Sequence, residues 1–407
     1  PVIIVANHPS TFMDPLVLAV IIKFKLYFIV AAEYVGKGFQ KAFFQRFFHM
    51  IPVYRPSTKP GEAHKNKNMF DYCYQHLKSK KSLLIFPEGV SVTADHLHPL
   101  KTGVARIAIG AENASEEPLN LKIIAVGLNY SNPHKFRSDL LINISEPISV
   151  KEIIAKEAEE LDQTNLLMTE IREKLENAVL HLEEIENTEF LKQIGQLLRY
   201  FKSTSPASVK ENFLILKRLN EFLNTFAEED GDKLKALQKL TGDLFSFMEK
   251  ENLDLKAAHL QPKINTPKTW LTIVFGAPIF ILGCLINYIP YRLVGLLNNK
   301  LKLNETFFGA IALAAGMIIF SIWYLVFTLV LGFALIGPWA LFFPFLAYSV
   351  GIYSLLYANL ISALRSVNRT MRKLNTNKKV SESYNAQLKE IYAQLMYFQD
   401  KIVSNNS

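Results

Sequence analysis

Short apolar runs rich in β-branched residues alternate with stretches of helical period over the first 150 residues. The runs predict strands at 2 to 6, 26 to 31, 51 to 54, 83 to 86, 122 to 128 and 139 to 145. The stretches between them predict helices at 15 to 22, 38 to 48, 62 to 78 and 102 to 111. Strands that are apolar throughout, without a polar face, belong to a sheet covered on both sides, so the expected fold over 1–150 is an α/β domain.

The pattern then changes. Residues 151 to 260 repeat apolar residues at helical spacing, as in Leu167, Ile171, Leu175 and Leu182, on an otherwise polar background. Three or four amphipathic helices are expected, broken at Ser203-Thr204-Ser205-Pro206 and at Asp230-Gly231-Asp232. From Thr269 to Tyr291 there is no charged side chain, and from Thr306 to Leu364 there is none for 59 residues. About 20 residues cross a bilayer, so the longer run predicts two spans, near 306 to 336 and 339 to 362, turning at Gly337-Pro338. Pro278, Asn287 and Pro290 interrupt the shorter run, leaving open either a span or a re-entrant segment. The expected membrane region is 261–364. Residues 365–407 begin with Arg365, Arg369, Arg372 and Lys373, then place Tyr384, Leu388, Ile391, Leu395, Phe398 and Ile402 in a coiled-coil-like stripe. That stripe suits a homo-oligomer or, more simply, packing onto the acidic helices.

Composition sharpens this division. Half of the 407 residues are apolar and only 20% are charged, more apolar than an ordinary soluble chain. The net charge of +8 conceals an acidic middle: Lys+Arg against Asp+Glu is 17 to 11 over residues 1 to 150, 15 to 22 over 151 to 260, and 13 to 4 over 261 to 407. Basic ends beside apolar spans fit a lipid bilayer and phosphorylated substrates, and no nucleic-acid-binding motif is present. Cys73 and Cys284 make no disulfide framework. The sequence starts at Pro1, directly in an apolar run, so residues upstream are expected to be missing.

Two elements carry chemistry. The strand ending at Ala6 runs into Asn7-His8-Pro9-Ser10-Thr11-Phe12-Met13-Asp14, with Ser10 or Thr11 placed to cap the following helix. A histidine can take a proton from an alcohol near neutral pH, and a carboxylate on its other nitrogen holds the tautomer and balances the imidazolium. The second element is Ile85-Phe86-Pro87-Glu88-Gly89, a strand that stops at a turn and brings a carboxylate to the sheet edge. Each alone is commonplace.

Their order is not. Asn-His-x5-Asp followed by Phe-Pro-Glu-Gly resembles the PlsC-type glycerolipid acyltransferase family over residues 1 to about 150. Ile51-Pro52-Val53-Tyr54-Arg55-Pro56 resembles its second block, Leu100-Lys101-Thr102-Gly103 the lysine-glycine step after the third, and Ile123 to Tyr130 the fourth. Most members have four residues between His and Asp; the five found here resemble the fungal glycerol-3-phosphate and dihydroxyacetone-phosphate acyltransferase branch, which also carries C-terminal membrane segments. The usual Thr-Arg after Glu-Gly is Val90-Ser91 here.

The resemblance implies a membrane-bound, multi-pass O-acyltransferase with His8 and Asp14 as catalytic residues and Arg55, Glu88, Gly89 and Lys101 binding the acceptor, Arg106 being a reserve cation. The implied donor is acyl-CoA, with acyl carrier protein as the alternative, and the implied acceptor is glycerol 3-phosphate or its 1-acyl derivative. No cofactor is needed. His96, His98, His8 and Asp95 could be imagined as metal ligands, but this chemistry requires none. Two other classes fit the sequence: the same fold acylating another lyso-lipid or an amine, for which the missing third-block arginine is the motive, and a non-catalytic membrane scaffold, against which an intact His8 and Asp14 argue.

Overall fold

A run such as Val2-Ile3-Ile4-Val5-Ala6 has no side chain suited to water on either side of the pleat, so it is stable as a strand only where both faces are covered. In the computed structural model it is β1 (Val2–Ala6), flanked in one sheet by β2 (Leu26–Ala31), β3 (Met50–Val53), β4 (Ser82–Ile85), β5 (Lys122–Tyr130), β6 (Leu140–Ile144) and the two-residue β7 (Ile148–Ser149). The structure describes residues 1–54, 61, 66–134, 138–182, 187–201, 208–255, 257, 266–300, 305–332 and 337–405. Arg55 and the expected break at 203 to 206 lie outside these residues.

The strand order is β3-β2-β4-β1-β5-β6, with β7 also on β5. The pairs among β1 to β5 are parallel, Val5 lying beside both Ile85 and Ala125, while β6 and β7 run antiparallel to β5. Parallel neighbours need crossovers, supplied by α1 (Met13–Ile21), α2 (Ala32–Val35) with α3 (Gly38–Phe47), α4 (Asn66–Lys78) and α5 (Gly103–Asn113). The steps β1→β2 and β2→β3 go toward one edge and the steps β3→β4 and β4→β5 toward the other, so right-handed crossovers put α1 and α3 on one face and α4 and α5 on the opposite one. The cores agree. Ile3 and Val5 pack with Cys73, Leu77 and Ile107, whereas Ile4 and Ala6 pack with Leu18. On the first of these faces α6 (Val150–Lys156) and α7 (Glu160–Ala178) add Ile153, Leu167, Ile171 and Leu175. This sheet and its helices, Pro1–Glu183, form one compact unit together with Leu303–Ile311.

The chain leaves β1 toward α1 and leaves the adjacent β4 toward α5, on opposite faces. Connections that diverge in this way open a crevice at the carboxyl ends of the two strands, where ligands bind in α/β sheets.

The second unit comprises Glu184–Lys302 and Ala312–Ser407. Its helices are α8 (Thr188–Phe201), α9 (Val209–Glu229), α10 (Gly231–Lys250), α11 (Pro267–Lys300), α12 (Phe308–Leu331, from Ala312 on), α13 (Phe343–Thr376) and α14 (Lys378–Asn405). The expected three or four helices over 151 to 260 are five, α6 to α10, among the described residues. The break between α6 and α7 at Glu157-Ala158-Glu159 carries neither glycine nor proline and so gave no signal. Ser208 closes a capping box with Glu211 at the start of α9, and α10 follows the break at Asp230.

Three helices are long and apolar enough to cross a membrane: Pro267–Leu297, Phe308–Leu331 and Gly337–Thr376, the last including a 3₁₀ turn at Gly337–Phe342. Residues 269 to 291, for which a re-entrant course was open, belong to one continuous helix. Pro290 has no N–H for the carbonyl of Ile286, and Trp323 Nε1–H donates to that oxygen instead at 2.9 Å. The close approach of α11 to α13 uses small residues: a Cβ on Gly283 would meet Ser354 Oγ at 2.1 Å, and Ser354 Oγ donates to the Phe280 carbonyl at 3.2 Å. The stripe of α14 is occupied within the chain, with Tyr384, Leu388, Ile391 and Phe398 buried and Phe398 edge-on to Phe222 of α9.

Candidate active site

His8 lies just beyond the carboxyl end of β1, and Asp14 in the first turn of α1. The side-chain amide of Asn7 anchors the start of the loop that carries them, donating to Leu128 O at 3.0 Å and accepting from Leu128 N at 2.7 Å. His8 Nδ1 is 2.8 Å from Asp14 Oδ2, and the His8 ring stacks on Phe86 at 3.9 Å with the planes 13° apart. Rotation of the imidazole is thereby blocked in two directions. With Nδ1 committed to the carboxylate, Nε2 is the nitrogen left for a substrate hydroxyl.

Asp14 is fully buried while His8 keeps 15% of its side chain exposed, the arrangement of an orienting carboxylate behind an accessible base. Burial pushes the Asp14 carboxyl above the usual carboxylate range, opposed by the His8 contact, the backbone N–H of Ser10 and the Tyr130 hydroxyl. Ser10 N donates to Oδ2 at 2.7 Å and Tyr130 OH donates to Oδ1 at 2.9 Å, so both oxygens are satisfied. Burial, together with the same carboxylate, pushes the Tyr130 phenol well above its ordinary value, which keeps it protonated as a donor.

The expected cap at Ser10 or Thr11 is not formed. Phe12 is the N-cap and no side chain caps the helix there. Asp14 instead reaches back to the Ser10 N–H, and the hydroxyls of Ser10 and Thr11 turn to Thr306, at 3.5 Å to its carbonyl and 2.9 Å to its Oγ1.

The second element arrives from β4. Glu88 is buried, and its oxygens accept from the backbone N–H groups of His8 at 2.9 Å and His98 at 3.2 Å. Burial raises its carboxyl above the usual range and these two donors oppose the rise. Glu88 therefore ties its turn to the loop that carries His8. Ser91 Oγ and Val92 N add donors to the His8 carbonyl at 3.0 and 3.1 Å.

Gly89 has φ +69°, and a Cβ there would lie 2.6 Å from Lys101 Nζ, so the bare backbone is what lets the lysine chain lie across the turn. Lys101 N also donates to Pro87 O at 2.8 Å. His8, Asp14, Glu88, Gly89 and Lys101 thus meet at one edge of the sheet. Arg106 does not join them; its guanidinium sits over the Phe70 ring of α4 at 4.9 Å. His96 and His98 have ring centres 4.6 Å apart, and no three His, Cys, Asp or Glu among the described residues are grouped to hold a metal ion. Cys73 is buried with its thiol pushed up to about 12, which makes it an inert core residue.

Tyr130 is the residue that the sequence did not single out. Its signal in the sequence was its place as the last residue of the Ile123 to Tyr130 block, and β5 carries it to the sheet edge where β1 delivers His8.

Residues 1–129 match the acyltransferase family model. The chain is 42% identical over 84 residues to glycerol-3-phosphate O-acyltransferase 1 of Saccharomyces cerevisiae, covering 20% of this chain and 11% of that protein. It is 37% identical over 92 residues to glycerol-3-phosphate O-acyltransferase 2 of the same yeast, covering 23% and 12%. An uncharacterized acyltransferase of Schizosaccharomyces pombe is 32% identical over 97 residues, covering 22% and 14%. The matched segments are therefore a small part of each relative's length. No solved structure matches. The motif order, the geometry of the dyad and the family match coincide on one segment, and residues 1–129 of this chain are an acyltransferase domain.

Proposed function

We propose that this protein is a membrane glycerolipid O-acyltransferase that transfers a fatty acyl group from acyl-CoA to glycerol 3-phosphate or its 1-acyl derivative. The observation that carries the reading is the His8–Asp14 pair, with Nδ1 held by a fully buried carboxylate and the imidazole itself partly exposed, which leaves Nε2 for a substrate hydroxyl. His8 Nε2 takes the proton from a glycerol hydroxyl as that oxygen attacks the thioester carbonyl. The tetrahedral intermediate then collapses, the C–S bond breaks, and the departing thiolate takes the proton back from the imidazolium. The products are an ester and a free thiol, and no acyl-enzyme forms. Asp14 stabilises the imidazolium while it exists. Because a thioester is an activated acyl group, orientation of the two substrates and general-base help supply the catalysis.

Arg55 and Lys101 are read as the cations that hold the acceptor phosphate, since Val90-Ser91 replaces the arginine usual at that step. The three apolar helices are read as bilayer spans, which makes the protein multi-pass. The test is to incubate the protein, purified in detergent, with labelled acyl-CoA and separate acceptors, and to identify the lipid formed. Lysophosphatidate from glycerol 3-phosphate, or phosphatidate from lysophosphatidate, is expected. A product only with lyso-phospholipids lacking a phosphomonoester, or only with amines, would overturn the acceptor assignment.

A further inference from the structure

The two faces of the catalytic sheet differ in a way that acyl transfer itself does not require. On the α4–α7 side the helices bury a large core. On the α1–α3 side α3 has no buried residue at all, although Phe39, Phe43 and Phe47 recur along it at steps of four, with Phe39 87% and Phe47 65% exposed. In α1 the same spacing lines up Phe12, Leu16 and Val20, all exposed, Val20 by 78%, while Asp14 and Leu18 point inward. Large apolar side chains in ordered, helically spaced rows on one face mark a contact surface.

Charge says what that surface meets. Between Pro15 and Phe48 the cations Lys23, Lys25, Lys37, Lys41 and Arg46 stand against one acid, Glu33. On the opposite face α7 carries Glu160, Asp162, Glu170, Glu173 and Glu176 against Arg172 and Lys174. Phenylalanines among lysines and arginines suit the boundary between anionic headgroups and acyl chains. A second observation points the same way. Phe307 packs edge-on against Phe12 at 5.5 Å, and a Cβ on Gly309 would lie 3.6 Å from Met13 Cγ, so the turn preceding α12 and that helix's first residues rest on the loop that begins the α1 row. α12 is one of the helices long and apolar enough to cross a membrane.

We propose that the α1–α3 face of the acyltransferase domain lies on an anionic bilayer surface, with the Phe12-Leu16-Val20 row and the α3 phenylalanines entering the headgroup–acyl boundary to a depth of about 5–10 Å. The Phe12 end of that row adjoins the catalytic loop, so a lipid substrate reaches His8 from the membrane without leaving it. The inference deepens the acyl-transfer reading by adding where the substrate enters, and it is tested by a measurement that does not depend on turnover.

The full chain carrying Cys284→Ala is labelled with an environment-sensitive fluorophore at Val20→Cys, Phe39→Cys or, as the opposite-face control, Glu173→Cys; buried Cys73 stays unlabelled. Each is placed in nanodiscs of phosphatidylcholine with or without phosphatidylserine. The probes at 20 and 39 are expected to shift to shorter wavelength in the phosphatidylserine discs and to be quenched by spin-labelled acyl chains, while the probe at 173 remains in water. Lys23→Glu with Lys37→Glu should reduce that quenching to its level in phosphatidylcholine alone. Probes at 20 and 39 as wet as the control would overturn the proposal. Equal quenching with and without phosphatidylserine would overturn its anionic part, and a blue shift already present in detergent that grows with protein concentration would assign the face to a second copy of the chain. A lack of acyl transfer with the expected fluorescence would count against the catalytic reading only.

Discussion

Replacing Tyr130 by phenylalanine removes one oxygen and leaves the ring in place, so it isolates the hydrogen bond to Asp14 from the packing of β5. That hydroxyl donates at 2.9 Å to Oδ1 of a carboxylate with no solvent exposure. A hydrogen bond to a charged group is worth about 1.5–3 kcal/mol. Acting on the ionised form of Asp14, the loss of that amount pushes the carboxyl further up. Expressed instead as lost stabilisation of the imidazolium in the transition state, it slows transfer by about 10- to 100-fold. The sign follows from the carboxylate. The Tyr130 donor opposes the upward push of burial, so without it Asp14 holds its proton to higher pH, and the acid limb of the kcat/KM profile moves up. Stability should follow the same direction. A carboxyl whose folded pKa lies above its unfolded value contributes most below the unfolded pKa and loses that contribution as pH rises through the folded one. Tyr130→Phe should therefore be more destabilised at neutral than at acid pH. The assay is kcat/KM with saturating donor across the acid limb, beside thermal unfolding at both ends of the range. A variant with kcat/KM within about twofold of wild type and an unmoved acid limb would refute Tyr130 as a positioning residue for the dyad.

His8→Ala should lower transfer by about 10²- to 10⁴-fold while detergent-solubilised protein keeps its circular dichroism and elution volume; a wild-type rate would sink the general-base assignment. Asp14→Asn should be nearly as damaging to kcat. Arg55→Ala and Lys101→Ala should raise the acceptor KM with little change in that for acyl-CoA, and Arg55→Lys should recover little because lysine cannot form the paired bonds of a guanidinium with phosphate; a change confined to the donor KM would move both residues to the CoA site. Gly127→Ala, whose Cβ would lie 2.1 Å from the Ala178 carbonyl oxygen, should push α7 away from β5 and cost about 1–3 kcal/mol, read as a lower midpoint in thermal unfolding; an unchanged midpoint would show that this contact yields freely.

The strands β1 to β4 were legible because each is almost wholly apolar, a pattern that a sheet covered on both faces accommodates. The helices were legible by their period, and the long apolar helices α12 and α13 by 59 residues without a charge. The His8–Asp14 pair could also be read, since six positions along a strand-loop-helix are enough to meet locally. What the sequence did not contain was the company these residues keep. Glu88 was read as shaping the acceptor site, and the backbone N–H groups of His8 and His98 that its oxygens accept from are brought to it by the pairing of β4 beside β1. Ser10 and Thr11 looked like helix caps, yet they meet Thr306, nearly three hundred residues away along the chain. Tyr130 reaches Asp14 only because β5 lies against β1 and ends at the same edge. Periodicity reports which face of an element is buried, and local motifs report what a few neighbouring residues can do. Strand register and crossover hand bring distant residues to one edge, and those leave no trace in the spacing of any single segment, so the tertiary structure alone decided how the dyad is held.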